Sequence, residues 1–169
     1  MMTIRKATSA DAEGIASVQV DAWRKAYRNF IDTASLDTMS KPDRAEKFLA
    51  LISAPDKFCF VAEDDEGLIA GFVAGGPAHS GGGRYKHEIY SFYVHPSRQK
   101  EGIGKLLFLA ATGYCKRNGG KNLLLWTLKE NPYQAFYVKM GGKRGEDGIF
   151  AFGGREYETV AYTWDSLPE

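Results

Sequence analysis

The sequence predicts a mixed α/β fold, one sheet of about six to seven strands with about four helices laid on it. Three observations carry this. The segments run strand, two helices, three strands, helix, strand, helix, two strands, which is not the strict alternation of a parallel βαβ sheet. The run His87–His95 gathers Ile89, Tyr90, Phe92, Tyr93 and Val94 into one stretch ended by Pro96, the strongest strand signal in the chain. Directly after it, Gly102 and Gly104 open a stretch with helical spacing.

Each element has a local reason. Thr3–Ala7 alternates weakly and reads as a short strand. Ser9 or Asp11 can cap the following helix, Ala12–Tyr27, whose Ile15, Val18, Ala22, Trp23 and Ala26 share one face. Asn29–Ser40 reads as irregular. Lys41-Pro42-Asp43 opens a second helix, with proline in the first turn where its missing N–H costs nothing. Phe48, Leu49 and Ile52 form its apolar side. Phe58–Glu63 and Leu68–Gly75 are strands joined by the turn Asp64-Asp65-Glu66-Gly67. His79–Lys86, with Ser80-Gly81-Gly82-Gly83, reads as a flexible loop. The helix Gly104–Asn118 shows Leu106, Leu107, Leu109, Ala110 and Tyr114 and stops at Gly119-Gly120. Asn122–Leu128 is nearly all apolar, as a buried strand is. Pro132–Met140 reads as a short helix stopped by Gly141-Gly142, and Lys143–Phe152 and Arg155–Trp164 as two last strands joined by Gly153-Gly154.

The 169 residues suffice for one domain with a sizeable core. A hydrophobic fraction of 44% and a charged fraction of 25% are those of an ordinary globular chain. With a net charge of +1, no partnership with nucleic acid or an anionic membrane is expected from bulk charge. No apolar stretch is long enough to span a bilayer, and Met1–Lys6 has no apolar signal core behind it. A cytoplasmic protein is expected. Cys59 and Cys115 lie in apolar runs without metal-ligand spacing, so two buried reduced thiols and no metal site are expected.

The chemistry lies in Val94-His95-Pro96-Ser97-Arg98-Gln99-Lys100-Glu101-Gly102-Ile103-Gly104-Lys105. A strand ends, the chain turns, and a helix begins among glycines. The first turn of a helix leaves its N–H donors unpaired, and the macrodipole adds partial positive charge. A phosphate or pyrophosphate fits such a place. Gly102 and Gly104 remove side chains that would block close approach. Arg98, Lys100 and Lys105 add charge. On the glycines alone, a helix start with no ligand, or a nucleotide site of another fold, explains the pattern equally well. There is no Walker A loop and no dinucleotide-binding glycine fingerprint.

Gln99-x-x-Gly102-x-Gly104, behind the strand Tyr90–Val94 with Val94-x-Pro96, resembles motif A of the GCN5-related N-acetyltransferase (GNAT) superfamily. That motif reads Arg or Gln, two residues, Gly, one residue, then Gly or Ala, at the same strand-to-helix junction. Glu130-Asn131-Pro132-Tyr133-Gln134-Ala135-Phe136-Tyr137, continuing to Gly141-Gly142, resembles the family's motif B. The order of elements matches too, so the resemblance covers essentially the whole chain.

The resemblance implies a single N-acetyltransferase domain over 1–169, with a mostly antiparallel sheet splayed between its fourth and fifth strands. It implies acetyl-CoA as co-substrate in the splay and no metal. Phe92, Tyr93 and Val94 would pair through their backbone with the pantetheine arm. Arg98, Gln99, Lys100, Glu101, Gly102, Ile103, Gly104 and Lys105 would surround the pyrophosphate, and Asn131 would contact the cofactor from the far side of the cleft. Tyr137 would be the general acid that protonates the departing thiolate. Glu88 is the candidate base, set against a plain strand-end carboxylate or a water chain, with His87 behind it. Trp23 and Tyr27 fall where the family builds its acceptor pocket, although core packing explains Trp23 equally well. The acceptor would be a small-molecule or peptide amine, and a homodimer is common among members. A non-catalytic acyl-CoA-binding module is the alternative. Two departures stand out. Gly141-Gly142 lacks the usual aromatic after motif B, and Glu101 puts a carboxylate inside the pyrophosphate turn.

Overall fold

A computed structural model describes all 169 residues, Met1–Glu169. The chain opens with β1 (Thr3–Lys6), and a 3-10 turn at Ser9–Asp11 leads into α1 (Ala12–Ala26). Asp11 holds this corner. Its carboxylate accepts the Thr8 amide at 2.7 Å and two Arg5 nitrogens at 2.8 and 2.9 Å. Then come α2 (Thr33–Asp37), α3 (Lys41–Ser53), β2 (Phe58–Glu63), β3 (Ile69–Pro77) and β4 (His87–Val94). A 3-10 turn at Pro96–Arg98 precedes α4 (Ile103–Arg117), β5 (Leu123–Leu128), α5 (Gln134–Lys139), β6 (Lys143–Phe152) and β7 (Arg155–Trp164).

Seven strands match the expectation, but there are five helices rather than about four. The extra one, α2, lies in the stretch expected to be irregular. Asp32 caps it by accepting the Ser35 amide at 3.3 Å, and Leu36 anchors it in the interior. So short a helix leaves no periodicity to read. Caps also begin α3, where Ser40 accepts the Asp43 amide at 3.2 Å.

The sheet runs β1-β2-β3-β4-β5-β7-β6. Every neighbouring pair is antiparallel except β4–β5. That parallel pair registers only Glu88 with Leu124 and Ile89 with Leu125. Past Ile89 the two strands part. On its other edge β4 stays paired to β3, but the register slips between Ala74 and Gly75, leaving Tyr90 as an extra, bulged residue.

Both faces of the sheet are covered. On one, α4 sets Leu107, Phe108, Ala111 and Cys115 against Phe58, Val73, Ile89, Leu123, Leu125 and Trp164. On the other, α1 and α3 set Ile15, Ala16 and Phe48 against Cys59, Val61, Phe72 and Ala74. A smaller cluster of Val20, Trp23, Tyr27, Leu36, Met39 and Leu128 ties α1 and α2 to the β6–β7 hairpin through Phe152 and Tyr157. Both cysteines are buried, and burial pushes their thiols up to about 12, which leaves them unreactive at neutral pH. No helix is long and apolar enough to cross a membrane.

The aromatic missing after motif B comes from elsewhere. Trp164 of β7 donates its indole N–H to the Met140 carbonyl at 3.0 Å. A Cβ at Gly142 would stand 2.8 Å from that ring. The second glycine is therefore the space that Trp164 fills.

Candidate active site

The turn after β4 is pinned from both sides. The His95 ring accepts the Ser97 amide at 3.2 Å, and its far nitrogen lies 3.1 Å from Asp21 on α1. Lys100 (φ 68°) and Gly102 (φ 80°) then take left-handed conformations. Such a turn is ordinary for glycine and strained for lysine. α4 starts at Ile103 with no side-chain cap. None of the backbone N–H groups from Gln99 to Lys105 has a backbone acceptor. The chain thus carries a continuous run of free donors at a helix N-terminus.

These donors border a cavity of about 720 Å³. Its walls are Phe92, Tyr93 and Val94 of β4, then Arg98, Gln99, Lys100, Gly102, Ile103, Gly104 and Lys105 of the turn and α4. Asn131, Tyr133, Phe136, Tyr137, Lys139 and Met140 close the far side, and Ala22 and Ala26 of α1, with Tyr27 just past that helix, close the end. The cavity occupies the gap where β4 has left β5. Phe92 and Tyr93 point to opposite faces. Phe92 meets Phe136 edge-on at 5.6 Å, and Tyr93 accepts the Trp23 indole N–H at 2.8 Å.

Three of the site residues singled out from the sequence do not line this cavity, and His87, the second candidate base, does not either. Glu101 turns outward. It accepts Arg98 Nε at 2.8 Å, while Arg98 Nη1 reaches Asp64 at 3.0 Å. The Arg98 charge is thereby engaged on its outer side, although the residue still borders the cavity. Trp23 lies in the small cluster behind Tyr93, where Tyr27, Phe150 and Phe152 surround its ring. Glu88 sits at the point where β4 and β5 are still paired. It shares a face with Leu124 and Gly76, its neighbours in register, opposite to Ile89, Leu123 and Leu125 under α4. Its carboxylate is buried and accepts the His79 amide at 3.0 Å. Burial raises its pKa, and the His79 bond only partly opposes that.

Tyr137 is 8% exposed and lies between Phe136 and Tyr162. Burial raises its phenol above the ordinary value of 10.0, and Tyr93 adds to the rise, against Thr127 and Asn131. Tyr27 and Tyr93 are raised by the same first cause. Three neutral phenols therefore meet at the inner end of the cavity. Asn131 faces the cavity but spends its side chain locally. It donates to Thr127 Oγ1 at 2.8 Å and accepts the Tyr133 amide at 2.8 Å, which sets the turn into α5. Ala22, Ala26, Tyr133, Lys139 and Met140 were not singled out from the sequence. Small residues four apart on α1 look like helix packing, and nothing in the sequence around an exposed tyrosine or lysine marks it as a cavity wall.

A sheet opened between β4 and β5 over a glycine-led helix, with a buried phenol behind it, defines a class of group-transfer fold. Residues 20–142 match the model of the acetyltransferase (GNAT) family, and the chain belongs to that family and is an N-acetyltransferase. The uncharacterized N-acetyltransferase YuaI of Bacillus subtilis (strain 168) is 29% identical over 167 residues, spanning 99% of this chain and 95% of that protein. Among solved structures, the PaiA N-acetyltransferase of Thermoplasma acidophilum, in complex with coenzyme A, superposes with a TM-score of 0.74 at 22% identity, covering 95% of this chain and 98% of that one. The putative acetyltransferase YncA of Salmonella typhimurium, solved with acetyl-CoA, has a TM-score of 0.72 at 21% identity and covers 100% and 95%. At such identities these structures share the fold.

Proposed function

We propose that the cavity takes acetyl-CoA and that its acetyl group passes directly to a primary amine held in the same complex. The observation that carries this is the run of free amides from Gln99 to Lys105, opening onto a cavity that ends at the Tyr137 phenol. A pyrophosphate has two negatively charged groups to pair, and uncapped helix donors suit them. Gly104 keeps the approach low, since any Cβ there would already press on Phe136 at 3.2 Å. The exposed strand edge Phe92–Val94 suits an extended amide-bearing arm. The two structures solved with coenzyme A or acetyl-CoA support the same reading.

Each residue then has one task. Holding the thioester beside the amine supplies much of the rate. The amine nitrogen forms a bond to the acetyl carbon as the carbon–sulfur bond breaks. Tyr137, kept neutral by burial, gives its proton to the departing sulfur. Glu88 lies on the other face of the split, where its raised pKa suits a base that takes a proton from the amine, directly or through water.

The test is to mix the protein with acetyl-CoA and a panel of amines and titrate the free thiol. Release that falls to background in Tyr137→Phe is expected. Tight acetyl-CoA binding with no release above that background would instead identify a non-catalytic acyl-CoA-binding module.

A further inference from the structure

We propose that Gln19 receives the attacking amine, its side-chain carbonyl accepting a hydrogen bond from the amine N–H. This rests on the acetyl-transfer reading above and adds to it the residue that orients the acceptor.

The starting point is a hydrogen-bond account that does not close. Gln19 sits on the inner side of α1 and is only 6% exposed. Its amide nitrogen reaches Ser91 Oγ at 3.5 Å, the outer limit of a hydrogen bond. Its carbonyl oxygen is buried with no partner at all. Exchanging the two ends of the amide would only move the orphan from oxygen to nitrogen. Folded proteins rarely leave such an atom unpaired unless something outside the chain completes it. The other buried orphan is Nδ1 of His87. It lies against Gly120 and Tyr114, at the far end of α4 and away from the residues that line the cavity.

The Gln19 orphan, by contrast, lies at the apex of the split. Pairing of β4 with β5 ends at Ile89 and Leu125. Ser91, the contact of Gln19, follows the bulged Tyr90 and is the first residue of β4 beyond the paired region to face α1. Glu88 is on the same face, just before the strands separate. Along α1, Gln19, Ala22, Trp23 and Ala26 form one stripe at i, i+3, i+4 and i+7. Ala22 and Ala26 already line the cavity, and Trp23 is bonded to Tyr93, two residues along β4 from Ser91. Gln19 and Ser91 do not themselves line the cavity; the stripe places Gln19 one turn beyond Ala22, where β4 leaves β5.

The chemistry asks for such a group. An amine attacks through its lone pair, so its N–H bonds point away from the thioester and need acceptors. As the C–N bond forms and the C–S bond breaks, one proton leaves nitrogen and one arrives on sulfur. A carboxylate can take the first proton; a neutral amide cannot. Gln19 is thus suited to hold the amine rather than to deprotonate it, and it leaves that step to Glu88 or water.

The experiment measures thiol release with saturating acetyl-CoA and four probes: spermidine, benzylamine, glycinamide and Nα-acetyl-lysine amide. Wild type, Gln19→Leu and Gln19→Glu are compared, and acetyl-CoA affinity and melting temperature are recorded for each. Gln19→Leu is expected to lower kcat/KM for the preferred amine about tenfold to hundredfold, the loss of one hydrogen bond to a polar or charged donor. Its acetyl-CoA affinity should stay within about twofold, and its melting temperature should equal or exceed wild type, because a buried orphan has been removed. Gln19→Glu keeps an acceptor oxygen at the same reach and should recover most of the loss. An unchanged kcat/KM in Gln19→Leu, or a loss that merely follows a lowered melting temperature, overturns the assignment and makes Gln19 a strut to Ser91. If the wild type itself releases no thiol with any probe, the acetyl-transfer reading falls, and Gln19 with it.

Discussion

Gly104→Val and Gly102→Ala should separate cofactor binding from folding, although the two glycines are neighbours in one turn. At Gly104 a Cβ would stand 3.2 Å from Phe136 Cε2 and 3.3 Å from Cζ. That ring is held edge-on by Phe92 at 5.6 Å and by Tyr137 at 5.9 Å, so it can give only slightly. The two further methyls of valine must then go toward the cavity and lift the pyrophosphate off the first-turn amides. Losing one charge-assisted hydrogen bond costs about 1.5–3 kcal/mol, roughly a tenfold to hundredfold weaker acetyl-CoA complex. Folding should change little. Gly104 is not in the left-handed region, and filling a helical glycine returns up to about 1 kcal/mol, less for a β-branched residue, against the cost of moving the ring. Gly102 reverses the balance. A Cβ there meets nothing within 4 Å, but φ is +80°, so a side chain costs roughly 1–2 kcal/mol of stability while leaving the cavity open. For a domain of this size that is a melting temperature lower by about 2–8 °C. Isothermal titration with acetyl-CoA and a thermal melt measure both. A Gly104→Val protein with wild-type affinity would show that these amides do not hold the pyrophosphate.

Tyr137→Phe keeps the ring packed between Phe136 and Tyr162, so it should melt near wild type while kcat falls by about 10²–10⁴. Glu88 has a raised pKa, so its contribution to stability is complete below the ordinary 4.5 and is lost as pH rises through the folded value. Glu88→Gln should therefore raise the melting temperature at pH 7.5, with the gain gone by pH 4; a destabilised variant at pH 7.5 would refute the buried-carboxylate account. Glu101→Gln should leave acetyl-CoA affinity within about twofold, because the side chain is turned away onto Arg98. A large change by titration would mean that the carboxylate reaches the cavity.

Most of the fold was legible because its signals are local. The bounds of β2, β6 and β7 coincide with the runs read from the sequence, and α1 and α4 fall within a residue or so of them. The opening between β4 and β5 had no such signal. It accompanies the bulge at Tyr90, and a bulge appears only when two strands are laid in register, which a single strand's pattern does not contain. The cradle was legible for the opposite reason. Glycines, a strand end and a helix start lie within a dozen residues, and the free N–H groups follow from backbone alone. Lys100 in a left-handed conformation was not legible, since the residue type argues against it.

Side-chain direction is where sequence reasoning ran out. Glu101 and Gly102 are adjacent, yet one faces Arg98 and the other the cavity. Trp23 on α1 and Tyr27 just past its end are both buried, yet only Tyr27 reaches the cavity. Gln19 carries no signal in the sequence, because a polar residue type on an amphipathic helix is expected on the solvent side. What distinguishes it is pairing, not type. Every backbone or side-chain donor and acceptor that folding removes from water needs a partner, and apart from Nδ1 of His87 the unpaired groups described above lie in or beside one place. The facing edges of β4 and β5 beyond Ile89 have lost each other, the amides from Gln99 to Lys105 have no acceptors, and the carbonyl of Gln19 has no donor. The strand edge Phe92–Val94 and the amide run border the cavity, and Gln19 lies just beyond it, against Ser91 of β4. His87 shows that this fold leaves a buried group unpaired elsewhere as well, so it is the clustering of the other three, and not any one of them, that supports the proposed site.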